Sequence, residues 1–156
     1  MSSTRTELYT LDTSILIYAM DRTAGVKHVR AADIVDRSVE CACVLTLQAL
    51  AEFVFAVTRK KLVPRRAAVA QARDWLAAFQ VVAADTRALE AAYAAVLTDR
   101  FGLLDALLLA TARSAGCTIA LSEDMTDGAG LDGIMVHNPL TGDALPDDLR
   151  PLLGMP

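Results

Sequence analysis

Four carboxylates sit where their surroundings call for a chemical explanation. Asp12 closes the alternating apolar stretch Leu8-Tyr9-Thr10-Leu11 and opens an apolar helical run from Ser14. Asp124 lies just past a second apolar stretch, Thr118-Ile119-Ala120-Leu121. Asp105 is the only ionisable residue between Arg100 and Arg113, and Leu108, Leu109 and Ala112 follow it on helical spacing. Glu52 stands on a helix with Gln48, Ala49, Ala56 and Arg59 on its face. A lone carboxylate among apolar neighbours costs several kcal/mol unless it is paired, capped or bound to a cation. Three or four of them converging without histidine or cysteine make an oxygen-only site, which suits Mg²⁺ or Mn²⁺ better than zinc. Such ions activate water and offset the charge that builds on a phosphodiester under attack. Each acid also has a plainer reading. Asp12, Thr13 and Ser14 can simply cap a helix, free helix amides can hold Asp105, and Glu52 can be merely solvated. Asp127-Gly128 is a common turn dipeptide that needs no function.

The elements that must position these acids can be read from periodicity. Leu8 to Leu11 predicts a strand, followed by a helix from Ser14 and a polar turn over Met20 to Gly25. Val26 to Val39 predicts an amphipathic helix with Val29, Ala32 and Val35 inward and Arg30, Asp33 and Arg37 outward. Cys41 to Thr46 predicts a buried strand, and Leu47 to Lys61 a helix with Leu47, Leu50, Val54 and Val57 inward. Pro64 opens the next helix, which carries Val69, Ala72, Trp75, Leu76 and Phe79. Strands at Val81–Ala83, Thr118–Leu121 and Ile134–His137 alternate with helices at Thr86–Arg100 and Leu103–Ala115, the latter closed by Gly116. Strands alternating with helices, and apolar on both faces, predict an α/β fold with a parallel central sheet covered on both sides. Asp12 and Asp124 then share the edge outside the carboxyl ends of the strands, where such sheets bind ligands. Residues 1–140 form the domain proper, and 141–156, rich in proline, its irregular surface tail.

With 156 residues the chain is one domain, able to bury about two thirds of its unfolded surface. Fifteen basic against nineteen acidic residues give a net charge of −4, so bulk electrostatics does not draw this protein to nucleic acid. Any such contact must be local or carried by cations on the acids. Cys41, Cys43 and Cys117 are too few for a disulfide framework and read as buried thiols in a reducing compartment. His28 and His137 show no ligand spacing. The longest uncharged apolar run, Cys41 to Ala51, has 11 residues and is too short to span a bilayer. Met1 to Arg5 lacks the apolar core of a signal peptide. A soluble cytoplasmic protein is expected. There is no glycine-rich phosphate loop and no internal repeat.

Leu11-Asp12-Thr13-Ser14, Glu52 within Gln48 to Phe53, Asp105 within Leu104 to Ala110, and Leu121 to Gly128 together resemble the motifs of PIN-domain nucleases. Within that family the chain is most similar to the VapC-type toxins of bacterial toxin–antitoxin pairs, including the later Asn138-Pro139. The resemblance runs through nearly the whole chain, in order. It implies a Mg²⁺- or Mn²⁺-dependent endoribonuclease with a doubly wound parallel sheet, homodimeric and held inactive by a cognate antitoxin. Carried over by motif, Asp12, Glu52, Asp105 and Asp124 are the metal-binding acids, Asp127 an accessory acid, and Thr13 and Ser14 orient the first carboxylate. Leu104, where an aromatic is common, and Leu140 after Pro139, in place of phenylalanine, depart from the pattern.

An RNA substrate needs basic residues to hold its backbone. Arg59, Lys60, Lys61, Arg65 and Arg66 end the Glu52 helix, and Arg22, Lys27, His28 and Arg30 follow the Asp12 helix. Charge runs of this kind are also ordinary solvated faces. A different class of function stays open at this point: a PIN-like domain whose work is binding a protein partner, with catalysis weak or lost.

Overall fold

The computed structural model describes residues 6–156; Met1 to Arg5, the stretch read for a leader, lie outside the described residues. Among the described residues six strands and six α-helices follow in order: β1 (Leu8–Leu11), α1 (Thr13–Met20), α2 (Val26–Ser38), β2 (Val44–Thr46), α3 (Leu47–Arg59), α4 (Arg65–Ala78), β3 (Gln80–Val82), α5 (Thr86–Val96), α6 (Leu103–Ser114), β4 (Cys117–Leu121), β5 (Gly130–Leu131) and β6 (Ile134–His137). The main sheet runs β1-β4-β6-β5, and β2 and β3 form a parallel pair beside it. A parallel bridge between Tyr9 and Cys43 joins the two. Parallel neighbours cannot be linked by a tight turn, so helices carry the returns of the chain between them. The expected α/β architecture with a parallel centre is what the chain adopts. β5 is the exception. It pairs antiparallel with β6 through only two residues, too few to leave a periodic signal.

Consecutive residues of a strand face opposite sides, and Tyr9, Thr10 and Leu11 are all buried, as are Ala120 and Leu121. Both faces of the sheet are therefore covered. The helices differ from expectation in phase. On α2 the inward residues are Ala31, Ile34, Val35 and Ser38, whereas Val29 is 67% exposed and Ala32 only half-buried. Ser38 accepts the Tyr9 hydroxyl proton at 2.8 Å and donates to the Ile34 carbonyl, so a polar residue sits on the packed face. On α3 the inward set is Ala49, Leu50, Phe53 and Val57, with Leu47 exposed and Val54 half-buried. Phe53 meets Trp75 of α4 edge-on, ring centres 4.8 Å apart, while Leu76 is exposed.

The last residues are more than a surface tail. Asp147–Leu149 and Pro151–Leu153 form short 3₁₀ turns, and Leu149 and Leu153 are buried in the common core. Arg30 donates to the carbonyls of Thr141 and Gly142. All three cysteines are free. Burial pushes the Cys43 thiol up and that of Cys117 to about 11, which leaves both poor nucleophiles. Among the described residues no helix is long and apolar enough to cross a membrane.

Candidate active site

The register of two strands builds the site. Leu11 pairs with Leu121, and the Asp12 amide donates to the Leu121 carbonyl at 2.9 Å. Asp12 and the Ser122 to Asp124 loop therefore leave the same sheet edge side by side, although more than a hundred residues separate them. Asp12 occupies the position before α1 where a capping side chain would sit, but its side chain caps nothing. It is 4% exposed. Its Oδ2 accepts protons from Ser14 at 2.9 Å and from Ser122 at 2.8 Å. The helix-cap explanation of Asp12 thus fails on geometry.

Asp12, Glu52, Asp105 and Asp124 line one cavity of ≈ 530 Å³, with Thr13 and Ser14. Ser14 donates to Asp12. Thr13 turns instead to α3 and donates to Glu52 Oε2 at 2.8 Å, so it orients a carboxylate other than the one expected. Gln48 donates to the Leu104 carbonyl at 2.8 Å and ties α3 to the start of α6, which brings Asp105 across from Glu52. Asp127 does not line this cavity. Its Oδ1 accepts the Asn138 amide at 3.1 Å, while Asn138 Oδ1 accepts from the Leu140 amide. Asp127 and Asn138 brace the loop that carries Asp124.

Electrostatics sets the cluster apart. The Asp105 carboxyl is held above the usual range, first by burial and then by Asp12 and Glu52. Amides at the start of α6 do not outweigh these neighbours, as a purely helix-held carboxylate would require. Asp124 is pushed up to about 6 by burial, by its hydrogen bond with Glu123, and by Asp12, Glu123 and Asp105. Burial also lifts Glu123, but the hydrogen bond and charge of Lys27, 2.8 Å away, bring it below the usual range. The nearby cation is therefore taken up by Glu123 and leaves the other acids unopposed.

Ser122 is absent from the sequence expectations. It is fully buried, donates to Asp12 and accepts the Met125 amide at 3.1 Å. A serine after a strand carries no signal of its own, and only the strand pairing reveals its partner. Ser122→Ala is expected to cost about 1.5–3 kcal/mol, the range for a hydrogen bond to a charged group. Urea unfolding curves check this; an unchanged midpoint would mean that Ser122 does not support Asp12.

The basic groups divide. Lys27 lies 5.4 Å from the Tyr18 ring centre as well as on Glu123, His28 Nδ1 meets the Tyr18 carbonyl, and Arg30 is occupied by loop carbonyls. These three make contacts within the fold. Among the described residues, Arg59, Lys60, Lys61, Arg65 and Arg66 make no salt bridge. Arg65 and Arg66, with Arg73, line a separate hollow of ≈ 490 Å³ on α4.

The PIN domain family model matches residues 9–125. The chain belongs to the PIN-domain family. Among curated proteins none matches this PIN domain significantly. In fold it is similar to Mycobacterium tuberculosis VapC20, a sarcin–ricin loop cleaving toxin, with TM-score 0.61 and 21% identity, covering 81% of this chain and 98% of that one. It is also similar to DNA-bound VapBC from Salmonella typhimurium, with TM-score 0.60 and 18% identity over 85% of this chain and 98% of the other. A toxin–antitoxin complex from Klebsiella pneumoniae matches with TM-score 0.56 and 21% identity, over 81% and 95%.

The site of this PIN domain fits a divalent cation. Its acids raise one another's proton affinity, and a dipositive ion removes that cost. Among the described residues no three His, Cys, Asp or Glu side chains are gathered tightly enough to hold an ion by themselves.

Proposed function

We propose that this PIN domain is a Mg²⁺- or Mn²⁺-dependent endoribonuclease and the toxin of a toxin–antitoxin pair, acting in the cytoplasm. The observation that carries the reading is the convergence of Asp12, Glu52, Asp105 and Asp124 on one cavity at the carboxyl edge of the sheet. A divalent ion held there would activate a water and offset the charge developing on the phosphodiester. The four acids would hold the ion, some of them through its waters. Ser14 and Ser122 fix the Asp12 carboxylate, Thr13 fixes Glu52, and Asp127 acts at one remove by bracing the Asp124 loop. Asp124, raised to about 6, changes charge just below neutral pH. Arg59, Lys60, Lys61, Arg65 and Arg66 supply the local positive charge that an acidic chain needs to retain RNA.

The likeness in fold to VapC20 and to two toxin–antitoxin complexes supports RNA as substrate and an antitoxin protein as partner. A second copy of the chain is the remaining partner; Tyr93 and Leu97 leave apolar surface exposed on and just beyond α5 for it. The deciding test incubates purified protein with RNA and Mn²⁺, and again with chelator. Cleavage only with metal supports the reading. A folded protein that cuts nothing in either condition would instead be a protein-binding module.

A further inference from the structure

The cavity has a second wall of different chemistry. Phe55, Leu104, Ile17, Ala51 and Ala56 line it beside the acids. Phe55 is 64% exposed, whereas Phe53, Phe79, Phe101, Tyr9 and Trp75 are all buried. The core makes no use of this ring, because Phe53 and Val57 take the inward positions of α3 around it. Phe55 lies three residues after Glu52, and Arg59 four residues later, spacings that keep all three on neighbouring turns of the helix. The Arg59 guanidinium stands 5.9 Å from the Phe55 ring centre. An acid, an open aromatic face and a cation thus succeed one another along about 10 Å of helix, with Lys60 and Lys61 just beyond.

We infer that Phe55 is a stacking platform for an unpaired nucleobase beside the scissile phosphate, with Arg59 holding a neighbouring phosphate. This rests on the nuclease reading of the carboxylates and adds Phe55 to it as a substrate-positioning residue. A base inside a duplex keeps both faces stacked, so a platform of this kind selects single-stranded or looped RNA. Stacking on an aromatic ring is tolerant of base identity, so Phe55 selects strandedness more than sequence. An apolar peptide side chain also fits a phenyl ring. It gives no employment to Arg59, Lys60 and Lys61, which among the described residues form no salt bridge.

The test measures binding without cleavage. Asp12→Asn protein in Mg²⁺ is titrated against a fluorescein-labelled single-stranded RNA octamer, its duplex, and versions with each base in turn removed to leave an abasic sugar. The single strand is expected to bind more tightly than the duplex. Adding Phe55→Ala should weaken single-strand binding about tenfold, and Phe55→Trp should restore it. At one position the abasic strand should bind equally well to the Asp12→Asn parent and to the protein that also carries Phe55→Ala. Arg59→Gln should flatten the salt dependence by about one unit of slope. Phe55→Ala binding as tightly as its parent, an equal loss on duplex, or no strand binding by the parent overturns the inference; unaltered RNA affinity would assign the ring to a protein-docking face. The nuclease reading stands or falls separately, on Mn²⁺-dependent cleavage by the unmodified chain.

Discussion

Asp12→Asn is expected to abolish nearly all metal-dependent cleavage, by several orders of magnitude, while the protein stays folded. Both halves of that expectation come from the surroundings of one carboxylate. Asp12 is buried at the sheet edge, and Oδ2 is held by two serine hydroxyls. Hydroxyls donate to an amide oxygen as well as to a carboxylate, so asparagine keeps the shape and both contacts. What disappears is one negative charge at the point where Asp105 and Asp124 already feel it. The fold loses a repulsion, and the metal loses a ligand. Asp124→Asn should behave likewise in activity. Rates of RNA cleavage in Mg²⁺, beside circular dichroism of the same samples, decide it. Cleavage at the unmodified rate by either variant would refute the assignment of the site.

The second large effect is on stability, and its sign is unusual for acidic residues. Asp124 and Asp105 bind protons more tightly in the folded protein than in the unfolded chain. Between the ordinary aspartate range and about 6, the folded state therefore carries more protons. Unfolding free energy falls as pH rises through that window. Without metal, the protein should melt higher at pH 5 than at pH 7.5. Metal should reverse the order, because an ion bound by the deprotonated acids would add about 2.7 kcal/mol when free ion is a hundredfold above its dissociation constant. Asp105→Asn separates the contributions. In chelator at pH 7.5 it should melt no lower than the parent, since a repelling charge is gone. In excess Mn²⁺ it should melt lower, having lost part of the metal's contribution. Melting curves of both proteins at the two pH values, with and without Mn²⁺, check the crossing. A variant that is uniformly less stable and equally responsive to Mn²⁺ would remove Asp105 from the site.

The strand-to-helix step at Asp12 and the alternation of strands with helices are readable in the sequence because both are local. An apolar alternating run and a helical run leave their periods in the sequence whatever surrounds them. Helix phase is harder. Val26, Val29 and Val39 put apolar residues on the outer side of α2, while the inner side uses Ala31 and Ser38, one small and one polar. Leu47 misleads in the same way, facing solvent at the very start of α3 although Thr46, Ala49 and Leu50 around it are buried. Side-chain partners far apart in the sequence cannot be read. Thr13 reaches Glu52 across 39 residues and Ser122 reaches Asp12 across 110, and neither link follows from residue type. Asp127 shows the converse: a motif position whose carboxylate supports a backbone turn and does not reach the cavity.

The pairing of β1 with β4 also sets a timetable. A chain leaving the ribosome presents Asp12 early, then Glu52 and Asp105, yet β1 lacks its β4 neighbour, and Asp12 the carbonyl that holds its amide, until Cys117 to Leu121 have emerged. At roughly 5–20 residues per second, that wait lasts on the order of ten seconds. Throughout it the nascent chain carries most of its acids and no site. A chain broken off before residue 121 lacks both the Leu121 carbonyl that holds the Asp12 amide and Asp124 itself.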